Sequence, residues 1–234
     1  MNNLELPKAK VKASKKNPKI LILYGSPKVG KTTLLSQLDN CLIIDLENGS
    51  NHVDALKINA SNPEELYKIA QKIKESGKPY KYVAIDTITK LEEWCEELAT
   101  KKYKESPIGK NFQGVSVLEL PMGAGYKWLR NSFSQWTDLL SDLAENVIFI
   151  GHLKDKFIVD KSGKDVAAKD LQLTGKIRDI TCANADAIGY VYRFKNDIWV
   201  SFKSQDDVVC GARPDHLKGE NFVFNWNKIY IDEN

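Results

Sequence analysis

Apolar runs and amphipathic stretches alternate along the first two thirds of the chain. Lys19-Ile20-Leu21-Ile22-Leu23-Tyr24 is a short apolar run suited to a strand buried on both faces. Thr33-Leu34-Leu35-Ser36-Gln37-Leu38 then reads as the start of a helix. Cys41-Leu42-Ile43-Ile44-Asp45-Leu46-Glu47 is a second apolar strand, with acids at its carboxyl end. Asn62-Pro63-Glu64-Glu65 predicts a helix start, Asn62 as cap and Pro63 in the first turn. Leu66, Ile69, Ala70 and Ile73 follow at helical spacing, and Gly77 stops the helix. Tyr82-Val83-Ala84-Ile85-Asp86 is the third strand, and Ile88, Leu91, Cys95 and Leu98 mark one face of the next helix. Leu129, Phe133, Trp136, Leu140 and Leu143 line another, before a fourth strand at Val147-Ile148-Phe149-Ile150-Gly151. Strands alternating with helices predict an α/β fold: a mostly parallel central sheet with helices on both faces.

Beyond residue 152 the pattern changes to short alternating segments around turns. Phe157-Ile158-Val159 and Val166 flank the turn Asp160-Lys161-Ser162-Gly163-Lys164. Residues 190–194 and 198–202 flank Lys195-Asn196-Asp197, and Phe222-Val223-Phe224 with Ile229-Tyr230-Ile231 suggests a last strand pair. The expectation is an antiparallel C-terminal extension of the same sheet.

A chain of 234 residues suits one elaborated domain better than two small ones. No apolar run approaches the roughly 20 residues that span a bilayer, and Met1-Asn2-Asn3 opens no signal peptide. Cys41, Cys95, Cys182 and Cys210 are scattered without a C-x-x-C pair, which argues against a zinc site and for reduced thiols in a cytosolic protein. The net charge of +3 is unevenly spread. Residues 1–19 carry six lysines against Glu5, a net of +5, which leaves −2 for the rest. Residues 1–18 are therefore expected to be a basic flexible arm, and residues 19–234 a single domain.

The decisive motif is Gly25-Ser26-Pro27-Lys28-Val29-Gly30-Lys31-Thr32-Thr33, a G-x-x-x-x-G-K-T phosphate-binding loop between a strand and a helix. Its glycines let backbone N–H groups face the phosphates, Lys31 reaches the β- and γ-phosphates, and the Thr32 hydroxyl is placed for Mg²⁺. Asp86, closing an apolar strand, is the expected second carboxylate of the Mg²⁺ site. Glu47 is the candidate for polarising the attacking water, with Asp45 and Glu92 as rival carboxylates. His152 follows the fourth strand, at a sheet edge where it could sense the γ-phosphate. No N-K-x-D motif is present, so ATP is preferred over GTP.

Two basic stretches with interleaved aromatics suit single-stranded nucleic acid. The first holds Lys101, Lys102, Lys104, Lys110, Lys127 and Arg130, with Tyr103, Phe112 and Tyr126 among them. The second, residues 151–178, includes Lys154, Lys156, Lys161 and Lys164, with Phe157.

Together these residues resemble the RecA-like ATPases, in particular the compact phage-type proteins related to core-only RecA, the Sak-type single-strand annealing recombinases. The resemblance covers residues 18–202. It rests on the phosphate loop, Ile44-Asp45-Leu46-Glu47, Val83-Ala84-Ile85-Asp86-Thr87, Gly151-His152-Leu153-Lys154 and Gly175-Lys176-Ile177-Arg178. It implies a RecA-like P-loop NTPase fold, Glu47 as catalytic base, and His152 in the place of the glutamine that couples ATP to DNA. Segments 101–127 and 153–176 match the DNA loops, and Lys176 and Arg178 would complete a neighbour's ATP site in a ring or filament. The implied function is Mg²⁺-dependent, DNA-stimulated ATP hydrolysis. It would promote annealing or strand exchange in phage-type recombination, in the cytoplasm of a phage-infected or prophage-bearing bacterium. A single-stranded-DNA-binding protein is a further expected partner. Two rivals share the ATP site: a switch or adaptor ATPase acting on a replication protein, and a small-molecule kinase with residues 101–127 as its lid.

Overall fold

The computed structural model describes residues 6, 8–159, 165–205 and 207–232. The first half builds β1 (Ile20–Gly25), α1 (Lys31–Ser36), β2 (Cys41–Asp45), β3 (Lys57–Asn59), α2 (Pro63–Glu75), β4 (Tyr82–Asp86) and α3 (Ile88–Glu105). The second half adds α4 (Gly125–Leu140), β5 (Asn146–Val159), β6 (Asp165–Leu171), α5 (Gly175–Asn184), β7 (Ala187–Phe194), β8 (Asp197–Ser201), β9 (Gly211–Ala212), β10 (Asn221–Val223) and α6 (Trp226–Ile229). The main sheet runs β10-β8-β7-β1-β5-β4-β2-β3, with β6 paired to β5 and β9 to β7. From β3 through β7 every adjacent pair is parallel, while β8 and β10 run antiparallel.

The expected fold class is present, and its physical basis is plain in the burial. β1, β2 and β4 are buried on both faces over nearly their whole length, as a parallel sheet covered by helices requires. One core layer joins α2, α3 and α4 to the sheet through Leu66, Leu91, Leu129 and Phe133; the opposite layer joins α1 and the C-terminal segment through Leu35, Phe202, Leu217 and Ile229. Each such fully buried side chain contributes about 1.5–3 kcal/mol of apolar burial. Asn62 caps α2 by accepting the Glu65 N–H, and Gly77 follows its end with φ 74°, as the sequence predicts.

Several expectations need correction. His152 is not at a sheet edge: β5 lies between β1 and β4, in the middle of the sheet. The antiparallel extension is present in the β5–β6 hairpin and in β8 and β10, while β7 itself pairs parallel with β1. β3 and α5 add a strand and a helix that hydrophobic spacing does not announce. β3 is exposed throughout, and Ile177 is the only buried residue of α5. Phe222 and Val223 do form a strand, yet residues 226–229 form a helical turn capped by Asn225, whose side chain accepts the Asn227 N–H. The face of α3 runs through Trp94, Cys95 and Ala99, and Leu98 is only half-buried. The turn at 160–164 lies outside the described residues.

Candidate functional site

The carboxyl ends of β1, β5, β4 and β2 converge on one crevice, the usual ligand position in an open parallel sheet. Gly25 ends β1 pressed against β7: a Cβ there would lie 2.2 Å from the Val191 carbonyl oxygen. Gly30, at φ 110°, turns the loop into α1 through a conformation that favours glycine. Behind it Lys31 is buried, and its Nζ donates to the Gly25 and Ser26 carbonyls at 2.8 and 3.0 Å. Burial lowers the Lys31 pKa, while Asp86 and then Glu47 pull it back up. The first N–H groups of α1 have no intrahelical acceptor, so loop and helix together offer donors to a phosphate.

The Thr32 hydroxyl donates to Asp86 Oδ2 at 2.7 Å, bringing the two expected Mg²⁺ groups into contact. Burial pushes the Asp86 carboxyl above its ordinary range; the Thr32 bond opposes this, and Asp45 and Glu47 add to it. The Lys31 ammonium also opposes the rise, and the carboxylates of Asp45, Glu47 and Asp86 gathered here leave a charge balance that favours a divalent ion. Hard oxygen donors from one hydroxyl and one carboxylate, completed by phosphate and water oxygens, are what Mg²⁺ takes. The residues fit a magnesium nucleotide.

Glu47 lies two residues past the end of β2, presented by a turn that Asp45 organises. Asp45 is buried and accepts the Glu47 and Ser50 N–H groups at 2.9 and 2.8 Å. Burial alone would raise its carboxyl, but hydrogen bonds from Ser50, Glu47 and Gly49 hold it below its ordinary value. Asp45 and Asp86 sit opposite each other in the β2–β4 register, which carries Glu47 to the mouth of the phosphate loop. There the Glu47 carboxylate accepts from Thr87 Oγ1 at 2.7 Å and faces His152 Nε2 at 3.0 and 3.2 Å. Both of its oxygens are acceptors, so Nε2 carries the proton. The buried Nδ1 of the same ring has no hydrogen-bond partner among the described residues. The His152 bond is the main reason the Glu47 carboxyl lies below its usual range; burial works against it, and Thr87 reinforces it.

His152 is tied to its surroundings through the backbone. Its N–H donates to Thr89 Oγ1 at 3.2 Å, and its carbonyl accepts the Gln172 N–H at 2.9 Å. The rival Glu92 is largely buried and accepts the Thr174 N–H at 2.9 Å, which commits it to the α3–α5 contact. The resulting cleft, about 440 Å³, is lined by Lys31, Thr32, Glu47, Asp86, Thr87 and His152.

The profile of the family described as AAA domain (AAA_24) matches residues 16–217. The chain belongs to this AAA domain family. With its phosphate loop, that makes it a P-loop ATPase. None of the curated proteins matches the sequence. Among solved structures, this AAA domain is similar to an ATPase from the type III secretion system of pathogenic bacteria, at 12% identity and a TM-score of 0.49, over 91% of this chain and 62% of that one. It is also similar to a KaiC-like protein of the archaeon Pyrococcus horikoshii OT3, at 12% identity and a TM-score of 0.45, over 90% of this chain and 87% of that one. The chain thus spans less than two thirds of the secretion ATPase it matches.

The remaining candidate residues of the AAA domain lie apart from the cleft or turn inward. Lys101, Lys102 and Lys104 are exposed near the end of α3, roughly 20–25 Å along the helix from Thr87. Lys110 is exposed in the following connection. Phe112 packs edge-on against Tyr103, with ring centroids 5.3 Å apart, and Lys104 lies over its ring; it is part of an internal aromatic contact. Lys154 and Lys156 are exposed on one face of β5, while Asp155 on the other pairs with Lys169. Lys161 and Lys164 lie outside the described residues. Lys176 is exposed in the first turn of α5, whereas Arg178 is held by Asp170 at 2.8 Å and Asp179 at 2.6 Å. Sequence pattern assigns no role to two residues of the site, Thr87 and Thr89. Thr87 follows the Asp86 strand and also caps α3 by accepting the Lys90 N–H, a capping position that was visible in the sequence.

Proposed function

We propose that this AAA domain is a Mg²⁺-dependent ATPase that acts on single-stranded DNA, promoting annealing or strand exchange in phage-type homologous recombination. Thr32 and Asp86 would hold the Mg²⁺, which when bound neutralises charge on the β- and γ-phosphates. Lys31 binds the same phosphates, and Glu47 orients and deprotonates the attacking water. The observation that carries the reading is the Glu47–His152 contact. His152 sits on the strand that continues into the β5–β6 hairpin, where Lys154 and Lys156 are exposed. A change in the hold on Glu47 therefore has a short covalent route to a basic surface. Lys176 would reach a neighbouring copy's site in a homo-oligomer; Arg178 would first have to leave Asp170 and Asp179. A single-stranded-DNA-binding protein is a further proposed partner, and the host compartment a phage-infected bacterial cytoplasm.

A second reading, an ATP-driven switch acting on a protein partner, is favoured by one feature. The α3–α4 connection exposes Ile108, Val115 and Met122, the last completely. ATP hydrolysis measured with and without single-stranded DNA, with Lys31→Ala as blank, separates the two. Stimulation by DNA supports the recombination reading, and turnover indifferent to DNA refutes it in favour of the protein-directed switch.

A further inference from the structure

We infer that the free edge of β3 and the groove between β3 and α2 form a docking site for an extended acidic peptide of a partner protein. β3 ends the sheet, and no strand lies beyond it among the described residues. The Leu56 carbonyl accepts the Ile43 N–H and the Ala60 N–H donates to Asp45, so even-numbered residues face β2. By the alternation of a parallel strand, the N–H and C=O groups of Lys57 and Asn59 point away from the sheet. Edges of this kind are usually guarded by charge. Here the Lys57 ammonium folds back onto the Ser50 and Val53 carbonyls, at 2.5 and 2.9 Å, and leaves the edge open.

Beside that edge lies a groove of about 380 Å³. Leu42, Ile69, Ile73 and Tyr80 give it an apolar floor, and Ile58 on β3 is 40% exposed above it. Lys68 and Lys72, one helical turn apart on α2, stand on the rim, and no carboxylate lines the groove. Neither lysine has a salt-bridge partner among the described residues. An added strand would take main-chain bonds from Lys57 and Asn59, place alternate apolar side chains in the groove, and bring carboxylates to the two ammonium groups. This charge pattern selects an acidic occupant and disfavours the chain's own lysine-rich arm.

The test uses the full chain and a fluorescent peptide of about eight residues that alternates aspartate with isoleucine and phenylalanine, read by polarisation. Binding is expected to fall about tenfold when lysine replaces aspartate in the peptide, and again in the Lys68→Glu/Lys72→Glu variant, as reversal of two exposed charges predicts. N-methylation of alternate peptide amides should abolish binding, while ATP hydrolysis by the variant stays at the parent level and reports an intact fold. Equal binding of acidic and basic peptides, an undiminished N-methylated peptide, or no binding of the acidic peptide each overturns the inference. So does a single-stranded oligonucleotide that displaces the peptide and loses affinity in the variant, which would make the face a nucleic-acid surface. The DNA dependence of ATP hydrolysis does not enter any of these readouts.

Discussion

Glu47→Gln separates the chemistry of the site from its architecture. Glu47 accepts from two donors, the Thr87 hydroxyl and His152 Nε2. Both donors meet Oε1, so glutamine can keep both bonds on its carbonyl oxygen while its NH₂ takes the place of Oε2. His152 therefore keeps its proton on Nε2, and no donor is stranded on its buried Nδ1, which has no hydrogen-bond partner among the described residues. The variant should therefore fold and bind nucleotide like the parent while lacking a carboxylate to accept a proton from water. Loss of a general base costs about 10²–10⁴-fold in rate, roughly 2.7–5.4 kcal/mol of barrier. Single-turnover ATP hydrolysis measures this, and a fluorescent ATP analogue checks that affinity is kept. A rate within about threefold of the parent would refute the assignment. Neither rival is free to stand in, since Asp45 holds two backbone N–H groups and Glu92 holds Thr174. Stability gives an independent check with a definite sign. The Glu47 carboxyl is depressed in the folded protein, so its contribution is present above the ordinary value of 4.5 and is lost as pH falls through the lower folded value. The difference in Tm between parent and variant should shrink in that acid range.

Three other substitutions or conditions probe the same geometry. Asp86→Asn should abolish Mg²⁺-dependent hydrolysis yet raise the Tm of the nucleotide-free protein at neutral pH. Burial raises the Asp86 carboxyl, so the folded state loses stability as pH rises from 3.8 to the higher folded value and stays at that loss above it, and the gain should vanish below 3.8 in thermal melts. Gly25→Ala forces a Cβ to 2.2 Å from the Val191 carbonyl oxygen, and overpacking of this kind costs about 1–3 kcal/mol, seen as a Tm several degrees lower in calorimetry. If single-stranded DNA lies along the exposed lysines, log affinity should fall with log salt by about 0.7 per phosphate neutralised, and Lys156→Ala should reduce the slope by about that amount in a salt titration. An unchanged slope would remove Lys156 from the contact.

What was legible in the sequence was what local chemistry encodes. The phosphate loop could be read because strand, glycines, lysine and helix are contiguous, and α2 because Asn62, Pro63 and its apolar spacing agree. Glu47 could be singled out because it follows an apolar strand with acids at its carboxyl end, and that strand, β2, pairs with the Asp86 strand β4. Strand insertion could not be read this way. β5 enters the sheet between β1 and β4, and an apolar run such as residues 147–150 marks a buried strand without saying which strands flank it. For the same reason the Glu47–His152 contact, which joins residues 105 positions apart, is invisible in the sequence even though each residue stands out there on its own. β3 was missed for the opposite reason: it is short and exposed, so no burial pattern marks it, and it is held by main-chain bonds to β2. A residue's identity can thus announce its chemistry, while the sheet's strand order decides which chemistries meet. Here that order puts His152, the proposed sensor, directly against the Glu47 carboxylate, so a test of His152 must always be read together with Glu47.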